Sequence, residues 1–282
     1  MTTDAPAVGD DALRDREAAL FTRLRALPSL LIAYSGGVDS AFLAWAASEA
    51  IGSRALAVTA DSPSYPERHR AMALEVARRF GLAHEFVHTE ELSNPDYRAN
   101  APDRCYHCKH ELYSRLARVA GDRGLAAIAD GSNADDRGDY RPGRQAAREF
   151  GVISPLDEAG LTKQDIRELS RRAGLPTWDE PASACLSSRI PYHSGVSEEK
   201  LRAVELAENA LRDLGFRVVR VRHHGDVARI EVAPSELARL VEPAVAAAVD
   251  ARVRAAGFRY VSVDLRGYRL GSLNEGLTLT PV

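Results

Sequence analysis

The stretch that decides the fold is LLIAYSGGVDSAFLA, residues 30–44. An apolar run ends in two glycines flanked by serines, and apolar residues then continue beyond an aspartate. This pattern predicts a buried strand, a tight loop and a helix. Glycines let the backbone approach an anion closely, and the N–H groups at the start of a helix attract negative charge. The loop is therefore predicted to bind phosphate groups.

The side chains of this loop fit the same prediction. Ser35 and Ser40 offer hydroxyl donors, and Gly36 and Gly37 leave room for the phosphates. Asp39 is expected to reach the phosphates through Mg²⁺. The loop lacks the Gly-Lys-Ser/Thr ending of a Walker loop. The alternative is a strand–helix turn capped by Ser or Asp, which carries no ligand.

Strands and helices alternate through the first two-thirds of the chain, which predicts an α/β fold with a parallel sheet sandwiched by helices. Ligands of such sheets bind at the carboxyl ends of the strands. The polar segments TADS (59–62) and DGSNADD (130–136) follow predicted strands. From residue 196 the order changes to helix–strand–strand–helix–strand, typical of a smaller α+β domain. The predicted domains are 1–190 and 191–282.

Composition narrows the functional classes. With 37 basic and 40 acidic residues the net charge is −3, which does not favour a general polyanion binder. No apolar run approaches the roughly 20 residues that span a membrane. The amino-terminal segment is polar and lacks an apolar signal core, so a cytoplasmic protein is expected. Three cysteines in such a chain favour metal binding or catalysis over a disulfide framework.

The cysteines lie in two places. Cys105 and Cys108 form a CxxC pair in DRCYHCKHE, and Cys185 follows in SACLSSR. Three thiolates could hold an iron–sulfur cluster with one open iron. They could instead join His107 or His110 in a zinc site, or form a redox pair beside an unrelated cysteine.

Basic residues in the second half suggest an anion site. Arg220 and Arg222 are two apart in RVVRVRHHG, so they share one face of a predicted strand. Paired guanidinium groups suit a phosphate or carboxylate. The alternative is a solvated strand face. Arg189 and Arg266 are further candidates of the same kind.

The loop motif SGGxDS resembles that of the PP-loop ATP pyrophosphatases. The segments TADSPSYPERH, DGSNADD, WDEPASACLSSRIPYH and VDLRGYRLGSLN resemble one branch of that superfamily, the LarE family. The resemblance implies a first domain similar to NAD synthetase and cleavage of ATP between its α- and β-phosphates. It implies sulfur insertion into pyridinium biscarboxylate mononucleotide, towards the nickel-pincer nucleotide cofactor of lactate racemase.

The resemblance also implies roles for residues. Cys185 stands where the family carries its sulfur-donating cysteine, which some members sacrifice. The two further cysteines imply that Cys105, Cys108 and Cys185 hold a [4Fe–4S] cluster that sulfide can renew. Glu208 and Glu231 correspond to a metal- or substrate-site pair, with surface charge as the alternative. The residues expected to bind ATP beyond the loop are Asp61, Gly131, Ser132 and Asn133, and those expected to bind the nucleotide substrate are Arg189, Arg220, Arg222 and Arg266.

Other functions remain open at this point. A PP-loop tRNA thiolase also uses a CxxC pair and a third cysteine, but the chain shows no basic stripe for tRNA. An ammonia-using relative of NAD synthetase would leave the cysteines without a role. A nucleotide or iron–sulfur sensor is the non-enzyme alternative. The expected partners are a small nucleotide substrate, a sulfide or other sulfur donor and further copies of the chain.

Overall fold

The computed structural model describes residues 8–138, 142–181, 184–269 and Ser272. The chain divides into two compact units. The first unit comprises residues 1–61, 67–89 and 108–182, and the second comprises residues 62–66, 90–107 and 183–282. Two short segments of the amino-terminal half thus belong to the second unit. The predicted boundary at residues 190 and 191 stays a prediction, because compact units do not by themselves define separately folding domains.

The predicted parallel sheet is confirmed in the first unit. Its strands are β1 (Leu30–Ala33), β2 (Ala55–Asp61), β3 (His84–His88) and β4 (Ala127–Ala129), in the order β3-β2-β1-β4. All three neighbouring pairs run parallel. The carboxyl ends of β1, β2 and β4 therefore meet at one edge of the sheet. The helices of this unit are α1 (Val8–Arg25), α2 (Val38–Ile51), α3 (Glu67–Arg79), α6 (Gly143–Glu149), α7 (Pro155–Glu158) and α8 (Lys163–Arg172).

A continuous apolar core holds this unit together. It includes Leu24, Ile32 and Phe42, each fully buried. Leu169 of α8 belongs to the same core, so α8 is fixed on the unit that carries the glycine loop. Thr162 caps α8 with a reciprocal pair of hydrogen bonds to Asp165. None of the described helices is long and apolar enough to span a membrane.

The second unit carries the smaller sheet. Strands β5 (Val219–His224) and β6 (Val227–Val232) form an antiparallel hairpin, and β7 (Tyr260–Val263) pairs with β6 in parallel. This matches the predicted α+β order. Gly225 turns the hairpin at φ +63°. The helices of this unit are α4 (Pro95–Ala99), α9 (Glu198–Asp213), α10 (Leu237–Leu240) and α11 (Pro243–Ala255).

Helix α5 (Arg104–Arg123) begins in the second unit and continues in the first. Cys105 and Cys108 lie on it three residues apart, almost one helical turn. Part of the last motif quoted for the family resemblance, residues 270–271 and 273–274, lies outside the described residues.

Candidate functional site

The glycine loop follows β1 and leads directly into α2. The Ser35 backbone N–H donates to Ser40 Oγ over 3.1 Å, and the two serine hydroxyls lie 3.0 Å apart. Gly36 adopts φ +68°, and a Cβ there would lie 2.9 Å from Ala73 Cβ. A side chain at Gly36 is therefore disfavoured by both backbone conformation and space. These contacts close the loop into a compact turn.

The start of α2 offers a favourable binding position for an anion. Gly37 is its N-cap, and no side-chain hydrogen bond caps the helix there. The N–H groups of the first helical turn have no partner within an α-helix, and they lie at the positive end of its dipole. The structure therefore brings together five of the predicted ATP-binding residues, which are Ser35, Gly36, Gly37, Asp39 and Ser40.

Asp39 makes an ion pair that the sequence analysis did not foresee. Its Oδ2 lies 2.5 Å from Nζ of Lys163, the first residue of α8. Its Oδ1 is buried and has no hydrogen-bond partner within the described residues. A buried carboxylate oxygen without a partner fits a hard cation such as Mg²⁺. The local signal for Lys163 is its place directly after Thr162, a residue type that favours helix caps.

The end of β4 touches the glycine loop. A Cβ on Gly131 would lie 3.0 Å from the Ser40 backbone nitrogen, so glycine permits this close approach. The preceding residue, Asp130, is buried and accepts hydrogen bonds from Ser132, Ser154 and Tyr113. Asp130 thus fixes the segment that carries Gly131 and Ser132. No local sequence pattern predicted this role for Asp130.

Two further predicted nucleotide contacts differ in their surroundings. Asn133 is buried, and its Oδ1 accepts the Asp135 N–H over 3.0 Å, so it shapes the turn that follows β4. Asp61 is half-buried at the end of β2, and its Oδ2 lies 3.6 Å from Arg70 Nε. Their contact with ATP stays a prediction.

In the second unit, the cysteine loop (residues 184–190) is held by its own arginine. Arg189 is 1% exposed and donates from Nη1 to the carbonyl oxygens of Ala184 and Cys185. Its Nε and Nη2 donate to the two carboxylate oxygens of Glu208, over 2.8 and 3.1 Å. A two-pronged pair of this kind fixes the guanidinium plane. Arg189 therefore positions the Cys185 backbone, and its predicted contact with substrate stays a prediction.

Glu208 is a buried centre of this unit. Arg212 also donates to it, and the Val221 N–H of β5 donates to Oε1. Burial alone would raise the pKa of Glu208, but the positive charges of Arg189, Arg212 and Arg220 lower it to about 2. The alternative of plain surface charge for Glu208 was wrong.

Glu231 on β6 has a similar environment. It is fully buried and accepts hydrogen bonds from Arg222, Arg229 and Ser272. The interpretation of Glu231 as plain surface charge was therefore also wrong. The buried carboxylate needs these partners to remain charged in the interior. Glu208 and Glu231 both already have arginine partners, and their predicted metal-binding role stays a prediction.

The two arginines on β5 are buried, which contradicts the alternative of a solvated strand face. Arg222 pairs with Glu231 over 2.7 Å and also donates to the Ser188 carbonyl of the cysteine loop. Burial, followed by the charge of Arg189, lowers the pKa of Arg220 to about 10. His223 of the same strand is also buried, and its ring packs on Phe258.

Arg266 lies apart from these buried groups. It is exposed in the turn after β7, where its backbone N–H donates to Asp264 Oδ1 over 2.9 Å. Asp264 also pairs with Arg269 and Arg229. The turn is therefore well anchored, and the role of Arg266 in substrate binding stays a prediction.

All three cysteines are free thiols. Cys105 is exposed, and Cys108 and Cys185 are half-buried. Within the described ranges, no three His, Cys, Asp or Glu side chains are grouped as metal ligands. The residues present thus do not form a ready-made site for a [4Fe–4S] cluster.

Comparisons with known proteins extend the resemblance. Residues 14–118, which contain the glycine loop, match the family model described as asparagine synthase. The chain is 45% identical over 252 residues to an uncharacterized protein of Synechocystis sp., covering 89% of this chain and 94% of that protein. It is 28% identical over 240 residues to an uncharacterized protein of Methanocaldococcus jannaschii, covering 85% and 90% of the two chains.

A named relative identifies the branch. The chain is 36% identical over 267 residues to the pyridinium-3,5-bisthiocarboxylic acid mononucleotide synthase of Lactiplantibacillus plantarum. The alignment covers 94% of this chain and 96% of the synthase, so it includes both the glycine loop and the cysteine loop. The expected family is confirmed: the chain belongs to the LarE family of ATP-dependent sulfurtransferases, with a PP-loop nucleotide-binding unit.

Proposed function

We propose that this protein inserts sulfur into pyridinium-3,5-biscarboxylic acid mononucleotide at the expense of ATP. The relation to the synthase of L. plantarum over 94% of the chain carries the proposal. A substrate carboxylate attacks the α-phosphorus of ATP and pyrophosphate leaves, which gives an acyl-adenylate. A sulfur nucleophile then attacks the acyl carbon and AMP leaves, which gives the thiocarboxylate. The product is a precursor of the nickel-pincer nucleotide cofactor of lactate racemase.

The PP-loop unit would carry out the first step. The N–H groups at the start of α2 and the hydroxyls of Ser35 and Ser40 bind phosphate oxygens. Asp39 Oδ1 would hold Mg²⁺, which would supply positive charge to neutralise the phosphates. Lys163 Nζ lies on the other oxygen of Asp39 and supplies a second positive charge beside the loop. Asp61 and residues 131–133 would line the part of the site that binds the adenosine of ATP.

The buried arginines of the second unit would hold the substrate, which carries two carboxylates and a phosphate. Arg220 keeps a pKa of about 10, so it is charged at neutral pH despite burial. Arg222 and Arg189, which are also buried, and the exposed Arg266 are the further candidates. Guanidinium groups are suited to such anions because they present paired donors in a plane.

Cys185 would deliver the sulfur, either from its own side chain or from a renewable source. A [4Fe–4S] cluster on Cys105, Cys108 and Cys185 is the renewable source that we propose. Two of these thiols lie on one face of α5, which supports the proposal. The described residues do not gather the three thiols, so no step of the reaction is derived through the cluster.

Anaerobic assays of the full chain test this function. Pyrophosphate release should depend on the pyridinium dicarboxylate mononucleotide, and the product should gain about 16 Da for each oxygen replaced by sulfur, as expected for acyl transfer to a sulfur nucleophile. Release that depends on tRNA instead would favour a tRNA thiolase, and no release with either would leave a sensor. Iron and acid-labile sulfide counts test the cluster separately. We extend the proposal to a cytoplasmic homo-oligomer, which gel filtration and cell fractionation test.

A further inference from the structure

Arg104 is a buried cation without a carboxylate. It is 4% exposed, and within the described residues its side chain donates to Asn100, Ser187 and Cys105, none of which is an Asp or Glu. The other deeply buried arginines of the second unit include Arg189 and Arg222, which pair with Glu208 and Glu231. A buried positive charge is costly unless a negative group compensates it. The position of Arg104 therefore calls for an anion.

The guanidinium of Arg104 is held firmly by neutral groups. Its Nη1 donates to Asn100 Oδ1 over 2.6 Å and to the Ser187 carbonyl of the cysteine loop over 2.8 Å. Asn100 is itself fixed, because its Nδ2 donates to the carbonyls of Ile190, Pro191 and Ser194. These bonds orient the side chain of Arg104 without neutralising its charge.

The remaining groups that act on the charge of Arg104 are the Cys105 and Cys185 thiols and the Tyr97 hydroxyl. Arg104 Nη2 lies 3.9 Å from Cys105 Sγ. Burial would lower the pKa of Arg104, but the nearby Cys185, Cys105 and Tyr97 side chains raise it. Cys185 lies two residues before Ser187 in the cysteine loop. Arg104 thus joins the first cysteine of the CxxC pair to the loop that carries the third cysteine, and all of these residues belong to the second unit.

We propose that Arg104 is a positioning residue of the sulfur site. Its guanidinium group holds a negatively charged sulfur species against Cys105 and Cys185. Its ligand class is an anionic sulfur group, such as hydrosulfide or the thiolate of one of the two cysteines. This inference rests on the proposed function, because it assigns Arg104 to the sulfur delivery that Cys185 carries out. It also explains why this buried arginine has no carboxylate partner.

A pair of alkylating reagents tests this charge directly. Iodoacetate is an anion and iodoacetamide is neutral, and both react with the thiolate form of a cysteine. The ratio of their rate constants therefore cancels the ionised fraction of the thiol and reports the local positive charge. Rates at Cys105 and Cys185 are measured separately by peptide mass spectrometry on the full chain, with neither ATP nor substrate present.

We expect Arg104→Gln to lower the iodoacetate-to-iodoacetamide ratio at Cys105 about tenfold, with a smaller fall at Cys185. Arg104→Lys keeps the charge and should retain most of the ratio. Arg98→Gln is the matched control, because Arg98 is exposed six residues away. A ratio in Arg104→Gln that stays within about twofold of the wild type would overturn the proposal.

A second measurement decides the matter if Arg104→Gln does not fold. The wild-type ratio at Cys105 is then compared between the native protein and the protein unfolded in urea. A native ratio well above the unfolded one supports the proposal, and equal ratios overturn it. Because the assay needs no turnover, its outcome is independent of the sulfur-insertion assay, which tests the proposed function.

Discussion

The carboxylate of Asp39 and the ammonium group of Lys163 lie 2.5 Å apart, linking the first turn of α2 to the first turn of α8. The pair leaves Asp39 Oδ1 buried without a hydrogen-bond partner in the described structure. Asp39 can thus bind a cation through Oδ1 while its Oδ2 remains paired with Lys163. A cation bound at Oδ1 would add a second positive charge to that of Lys163 beside the glycine loop.

Asp39→Ala should abolish pyrophosphate release while the protein remains folded. The variant removes the oxygen that fits Mg²⁺, and it leaves the apolar core of the first unit unchanged. Pyrophosphate release with substrate is the measurement, and circular dichroism checks the fold. Asp122→Ala, at an exposed position of α5 in the same unit, is the matched control. Ordinary release by the Asp39 variant would contradict the assignment.

Lys163→Met should weaken ATP use without unfolding the protein. The half-exposed lysine loses only its charge at the loop, because methionine keeps the length of the side chain. We expect kcat/KM for ATP to fall about ten- to a hundredfold, as for the loss of one charge-assisted phosphate contact. Arg171→Met, exposed on the same helix, should leave kcat/KM for ATP unchanged. An unchanged kcat/KM in the lysine variant would confine Lys163 to a structural role.

Local patterns were sufficient for most of the fold. The apolar run before Ser35 predicted β1, and the apolar residues after Asp39 predicted α2, because such strands and helices depend on neighbouring residues. The hairpin around Gly225 followed from the same kind of signal.

Contacts between distant segments could not be predicted in this way. The Asp39–Lys163 pair joins residues 124 positions apart. The packing of residues 62–66 and 90–107 with the carboxyl-terminal part of the chain depends on the three-dimensional fold. The burial of Glu208 likewise depends on Arg189, 19 residues away in sequence. The spacing of apolar residues along the sequence does not indicate such partners.

Arg220→Ala and Arg222→Ala should each weaken binding of the nucleotide substrate much more than binding of ATP. Loss of one charge-assisted contact costs about 1.5–3 kcal/mol, roughly ten- to over a hundredfold in affinity. Isothermal titration calorimetry with each ligand measures the effect. Arg217→Ala, exposed just before β5, is the control. Equal losses for both ligands, or none, would place these arginines outside the substrate site.

The Arg222 variant should also be less stable than the Arg220 variant. Arg222 pairs with the fully buried Glu231, and removal of one member of a buried pair costs about 3–5 kcal/mol in the free energy of unfolding. Arg229 and Ser272 retain their contacts with Glu231 and should reduce that loss. Urea unfolding of both variants gives the comparison.

The stability of the protein should fall steeply in acid because of Glu208. Its pKa is about 2 in the folded state, below the value of 4.5 for an unperturbed glutamate. The contribution is therefore fully present above about pH 4.5 and is lost as the pH falls towards 2, and it amounts to about 3 kcal/mol. Urea unfolding between pH 7 and pH 3 should show about 2 kcal/mol of this loss, because the folded-state pKa lies below pH 3. In Glu208→Gln the baseline stability should be lower and this part of the acid dependence should disappear.

The fate of Cys185 decides how the sulfur is supplied. If Cys185 gives up its own sulfur, each chain can act once, and Cys105 and Cys108 have no role in the reaction. If the three cysteines hold a renewable source, the reconstituted protein should turn over repeatedly with added sulfide, and Cys185 should keep its mass. Intact-protein mass spectrometry after reaction distinguishes the two. A loss of about 34 Da from Cys185, the mass of hydrogen sulfide leaving a reactive cysteine, would establish the sacrificial route. We expect no such loss, and we expect each single Cys→Ser variant to abolish repeated turnover. A Cys105→Ser, Cys108→Ser double variant that still turns over repeatedly would remove the argument for a cluster on these three thiols.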